Sequence, residues 1–323
     1  MGTERPAPRV SIVIPALNEE RVLGRCLEAL TRLDFPKDSL EVVLVDNGST
    51  DRTIEIARSF AAALNLTVLL KPGIRISAMR NFGVSQARGA TLAFLDADCI
   101  APPHWLKTAT ALLTQEGLGA LGAHYRIPED SSWVGRAWYG GLELEKQGSI
   151  EWLPAGDLII ARATFERLGG FDESIQTNED SELCERVRAA GLRVVGDASL
   201  AVVHLGTPQT LAHFYKKVRW HATDGLSVFI RSLPKITNPR PLLFAVYTLV
   251  CLAGLAIAAA FGALRIMGFF SAALLGPALL LSLRAVVKKK RWGDLGALTV
   301  LNLAYGLARG HALLKAAGRE RPT

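Results

Sequence analysis

From residue 10 to residue 95, short unbroken apolar runs alternate with segments whose apolar residues recur every three or four positions. Val10-Ser11-Ile12-Val13-Ile14 is stopped by Pro15, and Glu41-Val42-Val43-Leu44-Val45, Leu66 to Leu70 and Thr91-Leu92-Ala93-Phe94-Leu95 follow it. Apolar runs of this length, bounded by turn residues, read as buried strands. Between them Val22, Leu23, Cys26, Leu27 and Leu30 fall at helical spacing, a second helix runs through Ile54, Ala57 and Phe60, and a third covers Ser77 to Ala87, ended by Gly89. Asn18 is placed to cap the first helix, with Glu19 and Glu20 in its first turn, where the helix dipole favours acids. Alternation of strand and helix predicts right-handed βαβ units and a largely parallel sheet.

Beyond Asp98 the pattern loosens. It predicts a helix over Trp105–Leu113, a strand over Ala120–Ile127, an aromatic-bearing helix over Trp133–Tyr139 and strand character over Glu151–Ala161. A helix over Asn178–Ala190 is closed by Gly191, short strands cover Arg193–Val195 and Leu200–His204, and Thr207-Pro208 opens another helix, with Thr as cap and Pro at its first position.

The last part reads differently. Leu242–Leu264 and Ile266–Leu283 are apolar stretches of about the twenty residues a bilayer requires. Arg265 lies between them, Arg231, Lys235 and Arg240 precede them, and Lys288-Lys289-Lys290-Arg291 follows. The positive-inside rule puts both flanks on the cytoplasmic side, so the pair is expected to form a transmembrane helical hairpin. A buried hairpin of a soluble domain would ordinarily carry a polar stripe. Residues 295–314, interrupted by Asn302, Arg309 and His311, fit either a third span or a helix lying in the interface. The expected division is an α/β domain over residues 1–235 and a membrane region over residues 236–323.

Composition sharpens this picture at a few points. Half of the 323 residues are hydrophobic and the formal net charge is +7; mean hydropathy is +0.23 and the sequence pI about 9.4. A basic balance suits nucleic acid, anionic lipid or phosphorylated substrates. The absence of a nucleic-acid motif, and of aromatics interleaved with a basic stripe, argues against nucleic acid as a partner. Cys26, Cys99, Cys184 and Cys251 are far apart with no Cys-x-x-Cys, which points to a reducing compartment without a disulfide framework or zinc site. Met1 to Arg9 is polar and Pro-rich, and Val10 to Ala16 is too short for a signal h-region. The N-terminal part is therefore expected in the cytosol.

Candidate chemistry gathers at strand ends. Asp96 and Asp98 lie one residue apart at the carboxyl end of the fourth strand, where open α/β sheets bind ligands. Two such carboxylates repel unless a cation or hydrogen-bond donors separate their charges. A hard divalent ion would do so and leave positions for phosphate oxygens; a solvated acid pair is the plainer alternative. Asp46-Asn47-Gly48-Ser49-Thr50-Asp51 follows the second strand, where backbone N–H groups can meet a nucleotide, though an ordinary βα turn has the same composition. It lacks the Walker lysine, and it is not a Gly-x-Gly-x-x-Gly loop. Arg80-Asn81-x-Gly83 places an arginine ahead of the central strand, either near a base or diphosphate or on a solvated helix face. The acid-rich start of the later helix, Asn178-Glu179-Asp180-Ser181-Glu182-Leu183, suits the helix dipole and equally a general base for an acceptor hydroxyl. Lys216-x-x-Arg219-Trp220 puts two cations about one turn apart beside an aromatic, a clamp for a diphosphate or sugar face, or a basic membrane-facing helix.

Taken in order, strand-Pro-x-x-Asn-Glu-Glu, Val-Asp-Asn-Gly-Ser-Thr-Asp, Arg-Asn-x-Gly-x-x-x-Ala-x-Gly, Leu-Asp-Ala-Asp, Gly-Gly-Phe-Asp-Glu, Glu-Asp and Arg-Trp resemble the family 2 glycosyltransferases of the GT-A fold, over roughly residues 8 to 225. The resemblance implies a Rossmann-like α/β domain with a mostly parallel sheet flanked by helices. It also implies metal-dependent, inverting transfer from a nucleotide-diphosphate sugar. By the same resemblance Pro15, Glu19, Asp46 and Asn47 would line the base and ribose, Arg80 would approach the base or phosphates, and Asp96 would sit near ribose and metal. Asp98 would ligate Mg²⁺ or Mn²⁺, Asp180 would be the catalytic base, and Glu179, Arg219 and Trp220 would face the diphosphate and acceptor. His204 lies where some GT-A enzymes place a further metal ligand. Asn47 stands where many members have Asp, and Lys216 where Gln is typical. The apolar hairpin adds the expectation of a cell-membrane location, with the catalytic domain cytoplasmic and an acceptor such as a polyprenyl-phosphate-linked sugar. A non-catalytic scaffold with this fold would not need Asp96, Asp98 and Asp180 together. A nucleotidyltransferase would carry a Gly-rich basic loop where Pro15-Ala16-Leu17-Asn18 stands.

Overall fold

The computed structural model describes residues 9–175, 177–222 and 240–317. The expected domain boundary at 235–236 and the flanking Arg231 and Lys235 lie outside the described residues. The chain divides into two compact units, one formed by residues up to Glu129 with Gly141–Thr207, the other by Asp130–Gly140 with Pro208 onward.

The first unit is built on β1 (Val10–Ala16), α1 (Leu23–Thr31), β2 (Leu40–Asp46), α2 (Thr53–Ser59), β3 (Leu66–Leu70), α3 (Ile76–Gln86) and β4 (Thr91–Leu95). Then come β5 (Cys99–Ile100), α4 (Trp105–Leu112) and β6 (Leu118–Gly122). Strands β1 to β4 pair in parallel in the order β3-β2-β1-β4. Alternate residues of one strand point to opposite faces. Ile12 and Ile14 of β1 and Ala93 and Leu95 of β4 therefore enter the core with Leu23, Leu27, Trp105 and Leu106. Val13, Leu92 and Phe94 enter a second core on the other face with Phe165, Phe171, Leu183 and Val187. Helices cover both faces, which is why these strands are apolar at nearly every position.

Beyond β4 the sheet is mixed. After Gly140 come α6 (Leu142–Glu145, with α5 in the second unit), β7 (Gly148–Ser149), β8 (Asp157–Ala161), α7 (Arg162–Arg167), α8 (Glu179–Ala189), β9 (Arg193–Gly196) and β10 (Val203–His204). The order continues β4-β8-β6-β9-β7, and β8 runs antiparallel to both β4 and β6. The expectation of a strand over Glu151–Ala161 is corrected to β8 alone, because Pro154-Ala155-Gly156 turns the chain and Asp157 N–H donates to Pro154 O at 3.0 Å. The strand expected over Leu200–His204 is likewise reduced to β10, preceded by a 3-10 turn over Ala198–Leu200 that Asp197 caps by accepting from Ser199 N–H at 2.9 Å.

Asn18 does not cap α1. The helix starts at Leu23, and Asn18 adopts a left-handed φ of 56°. Its Oδ1 accepts from Thr50 N–H at 2.9 Å, its own N–H donates to Ser49 Oγ at 2.8 Å, and Glu19 N–H donates to Thr53 Oγ1 at 2.7 Å. The loop after β1 is thus stitched to the loop after β2, and those N–H groups need no helix of their own.

The second unit holds α5 (Trp133–Tyr139), α9 (Leu211–His221), α10 (Arg240–Ala260), α11 (Leu264–Lys289) and α12 (Leu295–Ala317). Helix α9 begins at Leu211 rather than at Thr207-Pro208, and Thr210 caps it by accepting from His213 N–H at 3.1 Å. Thr207 instead bonds back to His204 O at 2.8 Å. Helices α10 and α11 form a hairpin that turns at Gly262, φ 63°. Phe270 packs where a side chain at residue 254 would lie, and Tyr247 Oη donates to Ala273 O at 2.6 Å. Arg265, expected in the connecting turn, is the second residue of α11. Both helices are long and apolar enough to cross a bilayer, and only 22% and 11% of their most apolar windows are buried. Helix α12 packs on both, through Asn302 Nδ2 to Ser282 Oγ at 2.9 Å and through Gly306 and Gly310 against Phe244, Thr248 and Leu249 of α10. Its polar residues find partners inside the unit: Arg309 lies over the Tyr305 ring at 4.8 Å, and His311 Nδ1 meets Tyr215 Oη at 3.0 Å.

Candidate functional site

Strand β4 ends at Leu95, and the turn Asp96-Ala97-Asp98 carries its carboxylates out at the end of the sheet. Asp96 Oδ1 accepts from Arg80 Nη2 at 2.7 Å and Oδ2 accepts from Tyr125 Oη at 3.2 Å. Arg80 Nη1 donates in turn to Glu179 Oε1 at 2.5 Å. The Arg80 side chain is only 2% exposed, Phe171 lies beside its guanidinium, and its Nε has no hydrogen-bond partner. A guanidinium so buried is held protonated by its two carboxylates, and loss of either would leave an uncompensated buried charge.

Asp98 meets a histidine because of strand pairing. Strand β5 follows Asp98 immediately and pairs antiparallel with β10, placing His204 opposite Cys99. Leu205 N–H donates to Asp98 O at 2.8 Å, and His204 Nε2 stands 3.5 Å from Asp98 Oδ2. The imidazole stacks on the Tyr125 ring with centroids 4.6 Å apart. Gly206 keeps this corner open, since a Cβ there would strike Asp98 Oδ2 and His204 Cε1. A carboxylate oxygen and an imidazole nitrogen within reach of one ion fit a divalent metal of the Mn²⁺ or Mg²⁺ kind. No group of three or more metal-type side chains exists among the described residues.

Glu179 and Asp180 begin α8. Asp180 Oδ2 accepts from Ala155 N–H at 3.2 Å and Oδ1 from Ser181 N–H at 2.7 Å. Burial, and then the charge of Glu179, push the Asp180 carboxyl up to about 7. Glu19 is also pushed up to about 7, by burial first and then by the charges of Asp98, Asp96 and Asp51. Two carboxyls of the first unit, Glu19 and Asp180, are thus pushed up to about 7, the range in which a carboxyl can exchange protons near neutral pH.

Glu19, Arg80, Asp96, Asp98, Glu179, Asp180 and His204 all belong to the first unit, linked by the contacts and charges above. Asp46 and Asn47 lie on the neighbouring turn after β2. Asp46 is fully buried and accepts from Gly48 N–H, Ser49 N–H and Ser49 Oγ at 2.9, 2.8 and 2.5 Å. Asn47 exchanges two bonds with the Ile74 backbone, at 3.0 and 3.1 Å. Pro15 is buried near the end of β1, past the last residue paired with β4, so its missing N–H breaks no bond to that strand. Arg219 and Trp220 lie on α9 in the second unit, with Trp220 47% exposed. Sequence reasoning missed Tyr125, Gly156 and Gly206, which touch Asp96, Asp98 and His204; no local pattern marks them, because antiparallel pairing beyond β4 brings them in.

An open sheet with acids at the end of its central strand and at the start of a facing helix is the architecture of the GT-A class. The fold agrees over nearly the whole chain with the mannosyltransferase PcManGT of Pyrobaculum calidifontis, solved with GDP-Man and Mn²⁺: TM-score 0.64, 23% identity, covering 97% of this chain and 88% of that one. Residues 11–165 match the model of the Glycosyl transferase family 2. Glycosyltransferase AglE of Haloferax volcanii is 32% identical over 190 residues, 57% of this chain and 62% of that protein. The probable glycosyltransferase YdaM of Bacillus subtilis is 29% identical over 205 residues, 58% of this chain and 48% of that protein. The matched region thus spans less than two thirds of the first of these relatives and about half of the second.

Proposed function

We propose that the protein transfers a sugar, with inversion, from a nucleoside-diphosphate sugar to an acceptor held at a membrane. The observation that carries this reading is the linkage of two acid pairs: Asp96 and Asp98 at the end of β4, and Glu179 and Asp180 at the start of α8, bridged by buried Arg80. In this reading Asp98 and His204 hold a divalent ion. That ion, when bound, neutralises charge on the departing nucleoside diphosphate. Asp180 takes the proton of the acceptor oxygen. Its value near 7 leaves it deprotonated in part at neutral pH and strong enough as a base to accept that proton. Glu19 and Pro15 line the nucleotide side, Asp46 and Asn47 hold the backbone of the β2 turn beside it, and Arg219 and Trp220 face the diphosphate or acceptor side. Arg80 acts as the internal counter-ion of Asp96 and Glu179 rather than as a nucleotide contact.

The membrane part rests on α10 and α11. Leu243, Val250, Ile257, Phe261, Leu264, Phe269 and Leu280 are all more than half exposed, a surface that lipid would cover and water would not. Lys288, Lys289 and Lys290, with Arg291, then mark the cytoplasmic end, and an acceptor such as a polyprenyl-phosphate-linked sugar is within the membrane's reach. Calorimetric titration of UDP and of GDP into detergent-solubilised protein, with and without Mn²⁺, tests the donor site. Metal-dependent binding of one nucleotide, lost in Asp98→Ala, is expected. Binding indifferent to both metal and Asp98 would contradict the assignment.

A further inference from the structure

Asp96 on the β4 turn and Asp180 on α8 are joined by two separate routes. One runs through charge: Asp96 Oδ1 to Arg80 at 2.7 Å, Arg80 to Glu179 at 2.5 Å, and Glu179 is the chain neighbour of Asp180. The other runs through the turn ahead of β8. Ala155 N–H donates to Asp180 Oδ2, Gly156 N–H donates to Tyr125 Oη, and Tyr125 Oη donates to Asp96 Oδ2, each at 3.2 Å. The two routes close a ring. Gly156 is the tight point, because a Cβ there would collide with both Asp96 Oδ2 and Tyr125 Oη.

We infer that Tyr125 is a positioning residue, whose hydroxyl closes a hydrogen-bonded ring that fixes Asp96 and the proposed base Asp180 in one mutual arrangement. This rests on the glycosyl-transfer reading of the site. The chemistry requires a tyrosine rather than a phenylalanine. The ring alone would stack on His204 equally well, but only the phenol can accept from one group and donate to another at once. Members of such a network restrain one another. Any change in the spacing of the β4 turn and α8 must break both routes. A misplacement of about 1 Å between donor and base is enough to cost a large part of the rate.

The test compares wild type, Tyr125→Phe and Tyr125→Leu, all as full chains in detergent. Tyr125→Phe keeps the stack and removes the hydroxyl. Its kcat is expected to fall about tenfold, the usual scale for loss of a supporting partner, with nucleoside-diphosphate affinity nearly unchanged. Hydrogen–deuterium exchange should quicken at Ala155, Gly156 and the first turn of α8, and stay unaltered in β1 and β2. In the double variant Arg80→Lys, Tyr125→Phe, the fold-loss should be smaller than the product of the single losses, because a ring opened once gains little freedom from a second cut. Wild-type kcat and exchange in Tyr125→Phe, with damage confined to Tyr125→Leu, would show a packing role and overturn the inference. If wild type transfers no sugar, the functional reading falls, and the exchange measurement still decides whether the ring exists.

Discussion

The turns after β2 and after β4 flank the same strand, β1, and both are rich in aspartate, yet they use it differently. In the β2 turn, Asp46 is fully buried and its two oxygens accept three hydrogen bonds from its own loop. That acid holds a shape, including the left-handed Gly48 at φ 90°. In the β4 turn, Asp96 and Asp98 are bound to groups from α3, the segment after β6, and β10, farther away in sequence. Their charges help push Glu19 up to about 7. The same residue type serves as local mortar in one turn and as a source of charge in the next. What separates the two is where the hydrogen-bond donors come from.

The largest expected effect lies in the β4 turn. Asp98→Ala should abolish metal-dependent nucleotide binding without lowering thermal stability, because it removes charge from a crowded acid cluster; a variant that unfolds early would show that Asp98 too is structural. Next comes pH. Asp180 rises from 3.8 unfolded to about 7 folded. A raised acid contributes stability that is complete below its unfolded value and is lost as pH climbs through the folded one. Between pH 4 and 7, then, wild type should lose stability relative to Asp180→Asn, while its turnover rises toward a plateau above pH 7. Denaturant titrations and pH–rate profiles check the two halves, and a flat stability difference would contradict the cause given for the shift.

In the β2 turn the effects reverse in kind. Asp46→Ala leaves the Gly48 and Ser49 N–H groups and the Ser49 hydroxyl without their acceptor, and a cost of about 1–3 kcal/mol is expected. Turnover should follow only the folded fraction, as read by melting curves beside assays. The smallest effect is Asn47→Ala, which removes two bonds to Ile74 from a half-exposed site, about 1 kcal/mol in chemical denaturation. If Asn47→Ala instead altered nucleotide affinity strongly, the β2 turn would belong to the ligand and not only to the fold.

These contrasts explain what could be read in the chain beforehand. Strands β1 to β4 and the acids at 96, 98, 179 and 180 are local signals: an apolar run, then polar residues at its end. Both elements fall within a few residues, so spacing alone reveals them. Asn18 misled because its partners, Ser49 and Thr50, lie thirty positions on and outcompete a helix start. The antiparallel β8 was hidden for a related reason, since Pro154 and Gly156 shorten it and its direction depends on long-range pairing. Tyr125 carried no signal at all: a tyrosine in an apparent strand becomes part of the site only when β6 packs beside β8.

The most direct test of the account is the turnover of Asp180→Asn, measured beside its nucleotide binding. The account predicts a loss of about two to four orders of magnitude in kcat, with metal-dependent nucleotide affinity retained. Turnover like that of wild type, with binding intact, would contradict the assignment of Asp180 as the base and with it the proposed mechanism.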